Sequence, residues 1–205
     1  MLNKYTLHPW HGIDLHEQSP ELINAFIEIV PSDTVKYEID KKSGFLKIDR
    51  PQKFSNIIPA LYGFIPQTYC GENIAEYAMY KTTKKNIRGD GDPLDICVLT
   101  EKIIPHGYLL VQAIPIGGFR MFDGNQADDK IIAVLKDDAV YGNMNNISNC
   151  PALLIERIKH YFLTYKQMPG SEIKPVEITH TYDSEEAKEV ILKSINDYKE
   201  YIKNA

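Results

Sequence analysis

The chain has 205 residues, 43% of them hydrophobic and 25% charged, with a net charge of −5. That length and apolar content suit one core, so a single domain over 1–205 is expected. The acidic balance argues against nucleic acid or an anionic membrane surface as a partner.

In chain order, the first twenty residues carry His8, His11, Asp14, His16 and Glu17 and lack the apolar run of a secretory signal, so the expected location is cytoplasmic. Trp10 reads as an anchor for this segment. His8 and His11 stand three apart, but no helix signal supports a metal pair there. β-Branched and aromatic residues in alternation predict strands at 25–30, 35–39 and 45–48, with Pro31-Ser32-Asp33 and Lys42-Ser43-Gly44 turning them into a meander. Residues 66–89 show no clear period and predict an inserted excursion or hairpin. Further strands are predicted at 96–99, 109–114 and 131–135, with Gly117-Gly118 ending the second of these. The apolar stretch at 108–116 is too short to cross a bilayer.

Two helices are predicted after residue 150. One opens at Pro151 and aligns Leu154, Ile158, Tyr161, Phe162 and Tyr165 on a face. The other opens near Asp183 or Ser184, with Ala187, Val190, Ile191, Ile195, Tyr198 and Ile202 at helical spacing and Glu185-Glu186 at its positive end. The fold class is thus α+β, mainly β, with the strands in a closed or nearly closed barrel and the last helix packed across it. Cys70, Cys97 and Cys150 are odd in number and lack CxxC spacing, which suits free thiols in a reducing compartment.

Asp90-Gly91-Asp92-Pro93-Leu94-Asp95 puts three carboxylates into six residues, and Gly91 and Pro93 force a turn just before an apolar strand. Like charges held this close oppose one another's ionisation, so the cluster needs bound cations or basic neighbours. Oxygen-only ligands favour magnesium, manganese or calcium. A second acidic group, Asp123, Asp128 and Asp129, precedes Lys130 and another apolar strand, and two such loops could share metals that activate water. A solvated turn is the bland alternative. An EF-hand is the sharper one, with Asp90, Asp92 and Glu101 at loop positions one, three and twelve, but Leu94 and Asp95 fall where a ligand and a glycine belong.

On the strand at 35–39, Lys36 and Glu38 share a face that Glu28 could join. Arg50 follows the next strand, and Tyr165-Lys166 closes the first helix, where the helix dipole alone would favour a lysine. These residues acquire a common purpose only if Lys36, Arg50, Lys130 and Lys166 converge above the carboxylates, as cations for substrate oxygens.

The run Asp90-Gly91-Asp92-Pro93-Leu94-Asp95-Ile96 resembles the fingerprint of family I soluble inorganic pyrophosphatases. Glu28, Lys36-Tyr37-Glu38, Asp49-Arg50, Tyr62-Gly63, Asp123, Asp128 with Lys130, and Tyr165-Lys166 follow in that family's order and approximate spacing. The resemblance implies an OB-like five-stranded closed β-barrel flanked by two helices from the C-terminal half, and Mg²⁺-dependent hydrolysis of inorganic pyrophosphate at the barrel mouth. Mn²⁺ or Zn²⁺ would be possible substitutes and Ca²⁺ an inhibitor. By the same resemblance Asp90, Asp95 and Asp128 hold the activating metal, Asp95 is shared with a second, and Asp123 with Asp128 serves metals arriving with substrate. Asp92 orients and deprotonates the attacking water, while Glu28 and Glu38 support the metals through water. Lys36, Arg50, Lys130, Tyr165 and Lys166 grip the phosphates, and Tyr62 assists near the water or the electrophilic phosphorus.

Two departures stand out. Ile58 occupies a position where the commoner bacterial pattern has a tyrosine near substrate, and 66–89 exceeds the corresponding stretch of shorter bacterial members. Bacterial members of about this length are commonly hexamers and eukaryotic members dimers, so a homo-oligomer is implied, hexamer before dimer. Two rival functions share the expected fold or chemistry: an OB-type module binding single-stranded nucleic acid by aromatic stacking, and a two-metal phosphodiesterase or nucleotide hydrolase.

Overall fold

The computed structural model describes residues 7–166 and 176–204. Along the chain run β1 (Ile23–Ile29), β2 (Val35–Ile39), β3 (Leu46–Pro51), β4 (Leu61–Phe64), α1 (Glu72–Lys81), β5 (Arg88–Gly89), β6 (Asp95–Leu99), β7 (Leu109–Asp123), β8 (Gln126–Ala127) and β9 (Lys130–Leu135). A 3₁₀ turn (Ile147–Asn149), α2 (Ala152–Thr164), β10 (Val176–Asp183) and α3 (Ser184–Asn204) complete it. None of the described helices is long and apolar enough to cross a membrane.

Five strands pair in a closed ring: β1 with β4, β4 with β6, β6 with β9, β9 with β7, and β7 back to β1. Within the ring only the β6–β9 pairing is parallel. This is the expected five-stranded OB-like architecture, and closure leaves none of the five with a bare edge toward its neighbours. Apolar residues fill the ring and the space under α3, among them Ile27, Leu61, Ile96, Ala113 and Ile131 with Val190 and Ile191. On the other side α2 buries Ile155, Ile158, Tyr161 and Phe162 against Phe119, Met121 and Ile132.

Three sequence expectations are corrected. The first three strands are not a meander, because β2 and β3 form their own two-stranded sheet while β1 pairs with β4 and β7. Gly117-Gly118 does not end β7, which continues to Asp123 and pairs there with β10. A β-carbon at Gly118 would lie 2.4 Å from the Tyr182 ring, so the glycines let β10 approach and do not break the strand. Residues 66–89 are no hairpin but contain α1, burying Ile74, Ala75, Tyr77 and Ala78 at helical spacing. The helices thus number three among the described residues, with α1 packed on α3.

Trp10 fulfils the expected anchoring role, with its ring buried and Nε1 donating to Thr68 O at 2.8 Å. The three cysteines are free and buried.

Candidate active site

The acidic loop enters β6 at the end of the ring where Phe64, Asp95 and Lys130 stand side by side in register. Gly91 adopts φ +79°, a left-handed conformation that glycine takes without strain, and Asp90 Oδ1 accepts from Asp92 N at 3.0 Å to tighten the turn. Asp95 and Lys130 are direct neighbours on adjacent strands, and Asp128 lies two residues before Lys130 on the same face. The Lys130 ammonium therefore meets both carboxylates, and Tyr62 O–H donates to Asp95 Oδ2 at 2.7 Å.

One cleft of about 190 Å³ gathers Glu28, Lys36, Glu38, Tyr62, Asp90, Asp92, Asp95, Asp123, Asp128, Lys130, Tyr165 and Lys166. Every residue singled out for metal or catalysis lines it except Asp129, as does every one singled out for phosphate except Arg50. Arg50 sits at its rim, with Cζ 5.7 Å from the Tyr165 ring and Nη1 2.6 Å from Asp49 Oδ2. The β2–β3 pairing slips between Lys36, opposite Arg50, and Tyr37, opposite Ile48, so simple alternation does not place Arg50. Its Nη2 is buried and has no hydrogen-bond partner among the described residues, which leaves a charged donor free for an anion.

Asp129, grouped by sequence with Asp123 and Asp128, points the other way. It is buried beside Arg120 and accepts from Tyr182 O–H at 3.1 Å, while Asp128 and Lys130 face the cleft. Ile58 is 2% exposed and packs in the core under α2, so it is an ordinary core residue and lines no part of the cleft. Glu101 lies past the far end of β6 from Asp90 and Asp92, which removes the EF-hand alternative.

Two polar lining residues carry no signal in the sequence, Lys41 and Gln126. Lys41 Nζ pairs with Asp92 and donates to Gly91 O at 3.0 Å. No local signal marks it, since Asp40 to Gly44 reads as a turn; the β2–β3 hairpin brings that turn over the acidic loop.

The cleft lining holds seven carboxyl side chains against four lysines, an excess of negative charge in a partly desolvated place. Burial first, and then the Asp128 charge, pushes the Asp90 carboxyl well above the usual range. Burial likewise raises Asp128, with Lys130 pulling it back. Burial works against the charge of Lys130, but Asp128 and Asp95 outweigh it and hold the ammonium well above its usual value. Tyr62 is pushed far up by burial and by Asp95, so it remains a proton donor.

Among the described residues no three acidic, histidine or cysteine groups form a ready-made metal cage. The aspartates share the cleft with lysines between them: Lys41 on Asp92, Lys130 on Asp95 and Asp128, Lys166 on Asp123. The oxygen-only donor set and its excess charge nevertheless fit a hard divalent cation such as Mg²⁺.

Glu28 shows what this electrostatic excess costs. Its Oε1 accepts from Ile39 N at 2.7 Å, and burial, followed by the Asp95 charge, pushes its pKa from 4.5 to about 8. The folded state then holds a proton that the unfolded chain releases between these values, so stability falls as pH rises through that window. In EDTA, Glu28→Gln is expected to melt above the wild type at pH 8 and to converge with it towards pH 4.5. Parallel melting curves at every pH would reject this assignment.

A family model described as inorganic pyrophosphatase matches residues 25–199. The inorganic pyrophosphatase of Chlamydia trachomatis is 55% identical over 195 residues, 93% of each chain. A soluble inorganic pyrophosphatase of Zea mays is 35% identical over 196 residues, covering 95% of this chain and 81% of its own. Among solved structures, inorganic pyrophosphatase from Thermus thermophilus superposes with a TM-score of 0.77 at 29% identity, covering 94% of this chain and 99% of that one.

Proposed function

The chain belongs to the inorganic pyrophosphatase family and hydrolyses inorganic pyrophosphate to two phosphates; from that premise we propose that it works with Mg²⁺ held by Asp90, Asp95, Asp123 and Asp128, and with Asp92 as general base. The observation that carries this reading is the single cleft in which these carboxylates face Lys36, Lys130, Tyr165 and Lys166. When bound, the ions would lower the pKa of the attacking water and neutralise charge on the substrate oxygens.

The chain's own residues do the rest. Asp92 has a side chain 46% exposed at the cleft mouth, where a carboxylate oxygen can take a proton from water. Glu28 and Glu38 line the cleft beside these carboxylates and would support the metals through water. Lys36, Lys130 and Lys166 carry fixed charge towards the phosphates, with Tyr165 and the unpaired Nη2 of Arg50 at the edge. Tyr62 keeps its proton and donates to Asp95, which fixes that carboxylate's orientation.

The same proposal extends to setting. Three buried free thiols suit a reducing cytoplasm. A homo-oligomer, with a hexamer ahead of a dimer, rests on the likeness in length to bacterial members of the family. A net charge of −5 and an acidic cleft oppose binding of nucleic acid at the same face.

The test is phosphate release from pyrophosphate, with nucleoside triphosphate and a phosphodiester as comparison substrates. Strong, pyrophosphate-preferring turnover is expected with Mg²⁺ and none in EDTA. Mn²⁺ or Zn²⁺ should support slower, less selective turnover, and Ca²⁺ should inhibit by its looser coordination. Equal rates with and without chelator would overturn the metal assignment.

A further inference from the structure

The acidic loop does not rest on the barrel alone. Cys70 N donates to Asp92 O at 2.8 Å, Gly91 N donates to Cys70 O at 3.1 Å, and Leu94 N donates to Thr68 Oγ1 at 2.9 Å. A β-carbon at Gly89 would fall 1.9 Å from Cys70 O, so the chain entering the loop presses on the same backbone. Residues 68–71 are a strap beneath the loop. Whatever fixes this strap fixes the backbone of Gly91, Asp92 and Leu94.

From its other side the strap is held by α3. Tyr69 N donates to Ser194 O at 2.9 Å, and Gly71 N donates to Asp197 Oδ2 at 2.9 Å. The same carboxylate caps α1 across the fold, accepting from Asn73 N at 2.9 Å, Asn73 Nδ2 at 2.7 Å and Ile74 N at 3.1 Å. Gly71 at the N-cap offers α1 no side-chain bond of its own. Asp197 is 3% exposed, so its four bonds replace water, and its charge suits the positive end of a helix.

A cap of this kind could serve stability alone. Here, however, Gly71, held by Asp197, directly follows Cys70, whose N–H and C=O both bond to the acidic loop. We propose that Asp197 is a positioning residue for the reaction: through the 68–71 strap it sets where Asp90, Asp92 and Asp95 stand, coupling α3 to the cleft. This rests on the reading that those aspartates bind Mg²⁺ and activate water.

The experiment compares Asp197→Asn with Asp138→Asn, in the full-length protein, by melting temperature, kcat, KM for pyrophosphate and the Mg²⁺ concentration for half-maximal rate. Asp138 is the matched control, a buried aspartate that accepts from Thr100 Oγ1, Glu101 N, Val140 N and Tyr141 N beyond the opposite ends of β6 and β9. Both variants should melt earlier. Only Asp197→Asn should lower kcat, about tenfold, because displacing a reacting group by a fraction of an ångström is enough to do so. It should also raise the Mg²⁺ requirement several-fold while KM changes little. Thr68→Val cuts the strap's bond to Leu94 N and leaves Asp197 in place, so it should give the same signature even if Asp197→Asn folds poorly. If a folded Asp197→Asn matches Asp138→Asn in kcat and Mg²⁺ requirement, or if Thr68→Val does so where Asp197→Asn fails to fold, the proposal is overturned. Asp92→Asn is run alongside; wild-type turnover there would be a different failure, that of the site reading itself.

Discussion

Asp92→Asn is expected to lower kcat for pyrophosphate by about 10²–10⁴-fold, the usual worth of a positioned general base. The loop should survive the change. Asp92 bonds to its surroundings mainly through its backbone, N–H to Asp90 Oδ1 and C=O from Cys70 N–H, and an asparagine keeps both. What it loses is an oxygen able to hold the proton, together with the charge that pairs with Lys41. A half-exposed site of this kind tolerates an isosteric change to within about 0.5 kcal/mol, so the melting temperature should barely move. Steady-state phosphate release at saturating Mg²⁺ and pyrophosphate, with a thermal melt on the same sample, checks both halves. A kcat within about threefold of the wild type would remove Asp92 from the base role.

That prediction draws on a part of the site legible in the sequence, and the reason is local. Three carboxylates in six residues with Gly91 and Pro93 between them can only converge, and Asp128 stands just ahead of the strand that Lys130 opens. Strands β1, β2, β6 and β9 are likewise legible, because β-branched or aromatic residues recur in each of them. β4 is not. All four of its residues are buried, which erases alternation, and Gly63 sits there because a β-carbon would lie 1.8 Å from Phe26 O. α1 was hidden for a different reason: the group that caps it, Asp197, arrives from more than a hundred residues away. Lys41 reaches the cleft only through the hairpin, and Asp129 turns away from it to Arg120, nine residues back on β7. Long-range placement of this sort has no local signature.

Arg120→Met should destabilise the fold by about 3–5 kcal/mol, the range expected when one partner of a buried ion pair is removed. Arg120 is 1% exposed on β7, with Nη1 3.2 Å from Asp129 Oδ2 and Nη2 2.8 Å from Glu186 Oε1. Its guanidinium lies between the rings of Tyr77 and Tyr182, at 4.9 and 5.2 Å, so it joins α1, β7, β10 and α3 at one point. Burial pushes the Asp129 carboxyl up to about 6 even with Arg120 beside it. Without the arginine it would rise further and stay protonated at neutral pH. The folded pKa lies above the unfolded value, so stability falls as pH rises from the ordinary carboxylate range through the folded value. In Arg120→Met that window reaches to higher pH, and the loss should be larger at pH 8 than at pH 5. For a chain of this size the deficit corresponds to a melting temperature lower by roughly 6–20 °C. Adding Asp129→Leu to Arg120→Met should recover part of it at pH 8, because the stranded carboxylate is then gone and apolar packing replaces it. A double variant no more stable than the single one would show that the arginine acts by filling space between the two tyrosines and not by answering a buried charge.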